Sequence, residues 1–398
     1  MPQHQYGLDG LTVLHLTQPV EGGVARVVTD LVRAQVRAGA RVVVGCPAEG
    51  SLPRAAAESG AEVVRWAARR SPGPGLVREV RAAARLIRAA RPDLLHLHSS
   101  KAGLAGRLAA RGRLPTVFQP HAWSYEAASG LTAKAAVRWE RGAARWADRV
   151  LCVSDAERSS GERHGVRAAW AVLPNGVDTV RFTPPVRRDG VRAALPALSD
   201  LGPGTPLVVC VGRLCPQKGQ DVLLRAWPEV GARLPEARLV LVGDGPDHRR
   251  LLADAPEGVL LAGAARDPLP WYRAADVVVQ PSRWEGMALA PLEAMACGRP
   301  VVLTDVGGAR ECVPPADVAG CVVPVGDPAA LAGALLRLLT DPARRAAAGL
   351  RALARVRDRH DVRATAGAVT ALYGELLALP APSPEPEPQA DGGRRSPR

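Results

Sequence analysis

Short apolar runs alternate with helical stripes along this chain, and the alternation occurs in two consecutive sets. An apolar run between turn residues predicts a buried strand, whereas apolar residues at helical spacing predict an amphipathic helix. The first set has strands at 11–16, 41–46, 62–65, 94–98, 116–119, 150–153 and 171–173, with helices at 24–38, 76–90, 102–111, 131–147 and 155–163. Such alternation predicts a parallel, doubly wound sheet with helices on both faces.

A second set follows residues 175–206, which are rich in Pro, Gly and Asp and are interpreted as an interdomain connection. Its strands are predicted at 207–211, 238–242, 258–262, 276–280, 300–303 and 321–323, and helices at 328–339, 342–355 and 361–377 close it. We therefore expect an α/β protein with two Rossmann-like domains, at 1–175 and 176–358, that face a central cleft. A helix at 359–378 would cross back to the first domain, and the Pro-Glu-rich tail at 379–398 should be disordered.

The composition of the 398 residues argues against several classes of protein. No apolar run approaches the roughly 20 residues that span a membrane, and the polar first residues are unlike a secretory signal. The seven cysteines are scattered and form no Cys-x-x-Cys pair, which argues against a zinc site or a disulfide framework. We therefore expect a cytoplasmic protein.

The net charge of +13 lies mostly in the first half of the chain. Residues 1–175 carry 25 Lys and Arg against 14 Asp and Glu, whereas residues 176–398 carry 27 against 25. A basic half suits an anionic partner such as a phospholipid surface, a diphosphate-bearing lipid or a nucleic acid. An arginine-rich solvated surface explains the charge equally well, and no nucleic-acid recognition motif is present.

Two common nucleotide-binding motifs are missing from the sequence. No Gly-x-Gly-x-x-Gly follows the first strand and no Gly-Lys-Ser or Gly-Lys-Thr occurs, so NAD-dependent and P-loop chemistry lose support. No Asp-x-Asp pair is present to hold a metal-bound nucleotide sugar. We therefore predict neither a metal nor a bound cofactor.

Glu285 and Glu293 lie on either side of a predicted helix start. The strand at 276–280 ends just before them, and Pro291 suits the first position of a helix. Glu293 would then lie in the first helical turn and Glu285 in the preceding loop, at the sheet edge where ligands of open α/β sheets bind. Helix capping would explain Glu293 without a ligand, but the predicted cap residue, Ala290, has no capping side chain.

Arg213 and Lys218 follow the first strand of the second set, in a Gly-bounded loop that leads into a helix. Two cations beside a helix N-terminus suit a diphosphate, and they would neutralise a leaving nucleoside diphosphate without a metal. Alternatively, Arg213 and Lys218 are two solvated side chains of a surface loop. The diphosphate site is favoured, because Lys218 is one of only three lysines in the chain. Gly243 and Asp244, after the next strand, either line the nucleotide site or form an ordinary turn.

The first domain offers weaker signals at its strand ends. Gly22 and Gly23 would let backbone amides approach an anion, although a tight turn explains them equally well. His121 could donate a hydrogen bond to a sugar or assist proton movement, although a lone histidine is usually structural. His96 and His98 alternate along one strand and are interpreted as cleft wall or core rather than as metal ligands.

These blocks, in this order, resemble the retaining glycosyltransferases of family 4, also called group 1, which have the GT-B fold. The resemblance covers about residues 10–378. Its most specific part runs from Ala275-Asp-Val-Val-Val-Gln-Pro-Ser through the Glu285 to Glu293 block to Gly307-Gly-Ala-Arg-Glu311. Gly-Arg-Leu followed by Lys-Gly, Gly-Asp-Gly-Pro and Leu-Pro-Asn-Gly-Val-Asp match as well.

The resemblance implies a role for each charged residue of the second domain. Arg213 and Lys218 would hold the donor diphosphate. Glu293 would accept hydrogen bonds from the nucleoside ribose, because an ionised carboxylate is a strong acceptor for paired hydroxyls. Glu285 would face the donor sugar as a positioning and electrostatic residue.

The resemblance also implies roles for the first domain and for the reaction. Gly23 would lie against the phosphate, and His121 would touch the sugar or the acceptor. The acceptor hydroxyl would attack from the face that the diphosphate leaves, and a leaving phosphate oxygen would take the proton. The pair Met287-Ala288 departs from the Phe-Gly that relatives often carry, which leaves the donor-sugar preference open.

We therefore predict a metal-independent retaining glycosyltransferase that moves a sugar from a nucleoside-diphosphate sugar to an acceptor hydroxyl, in glycolipid, polysaccharide or cell-envelope glycan synthesis. Arginine-rich helices near 76–90 and 131–149 would let it lie peripherally on an anionic membrane and reach a sugar or lipid-linked acceptor. A nucleotide-sugar epimerase of the same fold and a non-catalytic nucleotide-sugar-binding protein are the alternatives.

Overall fold

The structure is a computed structural model that describes residues 7–70, 73–185, 189–202 and 204–379. Apart from its first residue, the tail predicted to be disordered at 379–398 lies outside the described residues. Within the described ranges, no helix is both long enough and apolar enough to cross a lipid bilayer.

The first half of the chain forms a parallel sheet at a topological switch point. Its strands are β1 (Thr12–Thr17), β2 (Arg41–Cys46), β3 (Glu62–Arg65), β4 (Leu94–His98), β5 (Thr116–Gln119), β6 (Arg149–Cys152) and β7 (Trp170–Val172). The connecting helices are α1 (Gly22–Arg37), α2 (Leu52–Glu58), α3 (Leu76–Ala90), α4 (Ser99–Ala110), α5 (Gly130–Ala143) and α6 (Asp155–Arg163). The spatial order β3-β2-β1-β4-β5-β6-β7 reverses direction between β1 and β4, so the crevice of this doubly wound sheet opens there.

A connecting segment with the one-turn helix α7 (Asp189–Ala193) leads to a second parallel sheet. Its strands are β8 (Leu207–Val211), β9 (Arg238–Val242), β10 (Val259–Gly263), β11 (Val277–Gln280), β12 (Val301–Thr304) and β13 (Val322–Val323). The order β10-β9-β8-β11-β12-β13 places its switch point between β8 and β11. The loops that follow these two strands therefore meet at one crevice.

The helices of the second half surround this sheet. They are α8 (Gln220–Arg233), α9 (His248–Ala253), α10 (Leu269–Ala274), α11 (Leu289–Ala296), α12 (Ala309–Cys312), α13 (Val318–Cys321), α14 (Pro328–Leu339), α15 (Pro342–Arg359) and α16 (Val362–Leu376). Strand Val277–Gln280 is wholly buried, as its run of apolar residues predicts, and helix Pro328–Leu339 buries seven of its twelve residues. The two-domain α/β prediction and the GT-B architecture are confirmed by this arrangement.

Helix α16 packs on the first domain although it ends the described chain. Val369, Leu372 and Tyr373 are buried in the same apolar cluster as Val28 and Leu31 of α1. The side chain of Asp361 caps α16 by accepting a hydrogen bond from the Arg363 backbone N–H at 2.8 Å. Residues that are distant in sequence thus share one core.

Two local predictions were wrong. Helix α11 begins at Leu289 with Ala288 as its N-cap residue, so Glu293 lies in the second turn and not in the first. The helix begins two residues before Pro291 and not at the proline itself. Proline is tolerated throughout the first turn, because the backbone N–H that it lacks would have no intrahelical partner there. Helix α2 was not predicted, since within its short span it buries only Leu52 and Ala56.

Candidate active site between the two sheets

The loops after β8 and β11 bring Lys218 and Glu285 together. The Lys218 ammonium donates to Glu285 Oε1 at 2.5 Å, and the Ser282 hydroxyl donates to the same oxygen at 2.8 Å. The two charged side chains are only 20% and 11% exposed, so their attraction is weakly screened. Gly219, at φ +66°, permits this approach, because a Cβ there would lie 2.0 Å from the Pro281 carbonyl oxygen.

The remaining residues predicted in the second domain form the mouth of the same crevice. Arg213 is exposed, and it makes no ion pair with any residue in the described ranges. Gly243 packs directly on the loop of Arg213, because a Cβ on Gly243 would lie 2.0 Å from the Gly212 carbonyl oxygen. Asp244 is exposed, and its carboxylate accepts a hydrogen bond from the Gly245 N–H at 2.7 Å. The structure thus places the two loops side by side, with Arg213 open to solvent.

Glu293 is buried and holds two partners of its own. Arg26 of α1 donates to Oε1 of Glu293 across the cleft, and the Tyr272 hydroxyl donates to Oε2 at 2.7 Å. Burial lowers the pKa of Arg26 and raises that of Tyr272 above its usual range. The ribose contact predicted for Glu293 therefore requires Arg26 to move aside.

The Gly22-Gly23 turn faces the start of α11 from the first domain. A Cβ on Gly23 would lie 3.8 Å from the Leu289 side chain, whereas a Cβ on Gly22 would meet no atom within 4 Å. Gly22 has φ +75°, a conformation that favours glycine. Gly22 therefore leaves open space beside the first turn of α1, where helix N–H groups lack intrahelical partners.

Four histidines fill the crevice of the first sheet. His15 on β1 lies beside His96 on β4, and His98 follows on the same strand; all three side chains are fully buried. His121, in the loop after β5, stacks on His98 with ring centroids 5.4 Å apart. His96 bonds instead to Tyr373 of α16, with 2.6 Å between Nδ1 and the phenol oxygen.

Burial keeps these imidazoles neutral at physiological pH. It lowers the pKa of His15 to about 4 and the pKa of His121 to about 3, and it lowers those of His96 and His98 well below the usual value. Candidate ligand atoms of His15, His96 and His98 lie within 4.8 Å of one another, although hydrogen bonds already use several of them. The histidine part of the first-domain side is therefore polar without carrying charge, whereas Arg26 brings a cation to the same side.

The loop that carries His121 closes against the loop that carries Glu285. His121 and Ala122 have φ angles of +57° and +116°, which are strained for residues with a Cβ. Glu157 of α6 holds this turn, because its carboxylate accepts a hydrogen bond from the Ala122 N–H at 2.6 Å. Burial raises the pKa of Glu157 to about 7. A Cβ on Gly286 would lie only 3.1 Å from the Ala122 nitrogen.

Polar contacts between the domains hold the cleft in this closed form. The Glu311 carboxylate accepts the backbone N–H groups of Asp155 and Ala156, at 2.9 and 2.8 Å, and so satisfies the N-terminus of α6. The Asn175 amide donates to the Met287 carbonyl oxygen at 2.8 Å. The Asn175 contact fixes the backbone two residues beyond Glu285, and the Glu311 contact ties α12 to α6.

Sequence reasoning missed several residues of this site. Arg26 and Tyr272 bond to the predicted Glu293, and Glu157 bonds to the backbone beside His121. The others, which extend the histidine cluster, are His15, Gln35 and Tyr373. A histidine on β1 beside the His96 and His98 pair was the one available signal, because adjacent parallel strands place such residues side by side. The other residues come from helices whose packing partners the sequence does not reveal.

Comparison with known proteins identifies the same two-domain plan. The family model described as "Glycosyltransferase Family 4" matches residues 21–181, and the model described as "Glycosyl transferases group 1" matches residues 205–341. A crystal structure of Anabaena HepE in complex with UDP and glucose superposes with a TM-score of 0.77 at 25% identity, covering 92% of this chain and 99% of HepE.

Two curated relatives show the range of the family. The chain is 37% identical over 289 residues to a D-inositol 3-phosphate glycosyltransferase of Xylanimonas cellulosilytica, which covers 66% of this chain and 68% of the relative. It is 40% identical over 197 residues to a GDP-mannose-dependent monoacylated phosphatidylinositol monomannoside mannosyltransferase of Corynebacterium glutamicum. That match covers 46% of this chain and spans about half, 51%, of the relative.

The fold and the crevice define a two-domain protein of the GT-B class. The chain belongs to the group 1 glycosyltransferases, as its resemblance in sequence predicted.

Proposed function

We propose that this protein is a retaining glycosyltransferase that moves a sugar from a nucleoside-diphosphate sugar to an acceptor hydroxyl. The observation that carries the proposal is the partly buried Lys218–Glu285 pair at the switch point of the second sheet, opposite the His121 loop of the first. Charge that develops on a leaving diphosphate is stabilised best by a cation already fixed in a water-poor site. The HepE structure in complex with UDP and glucose is consistent with this class of donor.

The donor would lie along the second domain. Lys218 and the exposed Arg213 would bind the diphosphate, beside the Gly22-Gly23 turn across the cleft. Glu293 would exchange Arg26 for the ribose hydroxyls, and Glu285 would keep Lys218 in place while facing the sugar. Lys218, which Glu285 holds, and Arg213 would together supply the charge that a metal would otherwise supply, and we propose that no metal is needed.

The proposed chemistry does not require a protein nucleophile. The acceptor hydroxyl attacks the anomeric carbon on the face from which the diphosphate departs, and the C–O bond to the diphosphate breaks. A phosphate oxygen of the leaving group takes the hydroxyl proton, so the sugar keeps its anomeric configuration. Glu285, already paired with Lys218, acts here as an electrostatic and positioning group.

We propose that the acceptor is a sugar or lipid-linked molecule of cell-envelope, glycolipid or polysaccharide synthesis. The Corynebacterium relative is described as acting on a phosphatidylinositol monomannoside. The basic first half of the chain would favour contact with anionic lipid from the cytoplasmic side. Binding to anionic but not to zwitterionic vesicles at low salt would support this contact, and equal binding to both would contradict it.

Labelled donors test the proposal directly. GDP-mannose and UDP-glucose would each be incubated with the protein, with and without a membrane lipid extract as the acceptor source. We expect labelled sugar to appear in the extract with one donor, together with free nucleoside diphosphate, and the product to keep the donor's anomeric configuration. Full conversion of the donor without any acceptor would instead indicate an epimerase, and binding without turnover in either arm would indicate a binding protein.

A further inference from the structure

One glutamine and three histidines form a continuous hydrogen-bonded chain from the core of the first domain to the cleft. Gln35 Oε1 lies 2.7 Å from His15 Nε2, and His15 Nδ1 lies 2.9 Å from His98 Nε2. His98 Nδ1 lies 3.1 Å from Nε2 of His121. We call these residues the histidine chain.

The histidine chain can exist in only two polarities. A neutral imidazole has one N–H donor and one lone-pair acceptor, so each bond in the chain decides the next. The buried end is set by Gln35, whose carbonyl oxygen faces His15 and whose amide nitrogen donates to the Tyr373 hydroxyl at 3.3 Å. A carbonyl oxygen only accepts, and His15 therefore carries its proton on Nε2.

The polarity then passes outward along the chain. His15 Nδ1 accepts from His98 Nε2–H, and His98 Nδ1 accepts from the Nε2–H of His121. The lone pair of His121 is consequently left on Nδ1. This atom makes no hydrogen bond to any residue in the described part of the chain, and the side chain is half-buried in the loop that closes against Gly286.

We propose that the histidine chain holds His121 as the Nε2–H tautomer, so that its Nδ1 accepts a hydrogen bond from a substrate hydroxyl. The inference rests on the proposed function, because a sugar or acceptor hydroxyl is the donor to this atom. It reverses the donor role that the sequence suggested for His121. Gln35, His15 and His98 are positioning residues, which act on the substrate only through the ring of His121.

The backbone of His121 is held independently of its ring. The Glu157 carboxylate accepts a hydrogen bond from the backbone N–H of Ala122, the residue that follows His121, at 2.6 Å. It also accepts one from the Val153 N–H at 2.7 Å. The strained turn is thus fixed on one side by a carboxylate, and the ring is fixed on the other by His98. A ring held in this way loses little freedom when a substrate binds.

Nitrogen NMR of the histidine rings tests the tautomer without any assay of activity. Protein labelled with ¹⁵N-histidine would be measured near pH 7, and the His121 ring would be assigned by its loss in a His121→Gln variant. We expect His15, His98 and His121 each to carry the proton on Nε2. Protonation of His121 on Nδ1 overturns the proposal, whereas failure of the proposed function would show only in the transfer assay.

A pair of variants then tests whether Gln35 sets the polarity. Gln35→Leu removes the carbonyl oxygen, so we expect the His121 ring to populate both tautomers and kcat/KM to fall about tenfold, the value of one hydrogen bond. Thr29→Val is the matched control, because Thr29 is buried on the same helix as Gln35 and its hydroxyl donates to the Ala25 carbonyl oxygen, outside the histidine chain. A pure Nε2–H tautomer in Gln35→Leu would contradict the role of Gln35, and the wild-type spectrum decides the tautomer even if that variant does not fold.

Discussion

The two walls of the cleft use opposite chemistry. The second-domain wall carries formal charge, with Lys218 bonded to Glu285 and Glu293 bonded across the cleft to Arg26. The first-domain wall supplies Arg26 to that contact, but around His121 it carries histidines that burial keeps neutral. The difference matches what each wall would meet in the proposed reaction: a diphosphate requires fixed cations, whereas sugar hydroxyls require neutral hydrogen-bonding groups.

Removal of the cation from the charged wall should have the largest effect. Lys218→Ala takes away the group that would neutralise the leaving diphosphate, and we expect kcat/KM to fall by roughly 10²- to 10³-fold. Arg225→Ala is the matched control, because Arg225 is 61% exposed on α8 and pairs weakly with Asp221 at 3.8 Å. Steady-state kinetics of both variants would distinguish the loss of the site cation from the loss of a surface charge, and equal losses in both would contradict the assignment of Lys218.

Glu293 and Arg26 should respond in opposite directions. Glu293→Gln removes the carboxylate proposed to bind the ribose, so we expect nucleotide affinity to fall by roughly 10- to 100-fold, as for a lost hydrogen bond to a charged group. Arg26→Ala removes the competitor for that carboxylate and should leave affinity equal or higher. Calorimetric titration with nucleoside diphosphates would measure both variants, and a large loss of affinity in Arg26→Ala would show that Arg26 binds the ligand itself.

Closure of one wall on the other should be sensitive to a single methyl group. A Cβ on Gly286 would lie 2.9 Å from a Val153 methyl and 3.1 Å from both the Ala122 nitrogen and a Glu157 oxygen. We expect Gly286→Ala to disfavour the closed cleft by about 1–3 kcal/mol, an ordinary cost of overpacking, and to lower kcat more than nucleotide affinity. Gly231→Ala, where the added methyl meets no atom within 4 Å, provides the control.

A Gly286→Ala variant with wild-type kcat would show that the reaction does not need this closed arrangement. Small-angle X-ray scattering of the same pair would report closure separately, because an open cleft enlarges the radius of gyration.

The neutral wall should appear in the pH dependence of stability. When folding lowers the pKa of a histidine, the folded state binds fewer protons than the unfolded state. The free energy of unfolding therefore falls as pH drops from about 6.5 towards the pKa of that histidine in the folded state. Each histidine of the wall should contribute about 1.4 kcal/mol per pH unit in that window, and His96→Gln should remove one such contribution. Asp30 and Glu157, whose pKa values burial raises to about 6 and about 7, act in the opposite sense.

The difference between wild type and His96→Gln isolates the histidine contribution from these carboxylates. Urea unfolding at pH 7, 6 and 5 would measure it. Parallel stability curves for the two proteins would contradict the buried, neutral state of His96.

The charged wall was largely predictable from the sequence, and the neutral wall was not. Lys218 and Glu285 each follow a strand of the same sheet, so strand prediction and the switch-point rule brought them to one edge. The histidine cluster depends on contacts across the whole chain, such as Gln35 to Tyr373, which are 338 residues apart. No local pattern announces such a pair, because hydrophobic periodicity reports which face is buried and not what it touches.

Binding of nucleoside diphosphates tests the central claim most directly. Titration calorimetry would measure GDP and UDP against the wild type, Lys218→Ala and Arg225→Ala. We predict saturable binding of at least one nucleotide to the wild type and to Arg225→Ala, with a much weaker interaction in Lys218→Ala. Equal affinity in all three proteins, or no binding of either nucleotide to the wild type, would contradict a donor site at the Lys218–Glu285 pair.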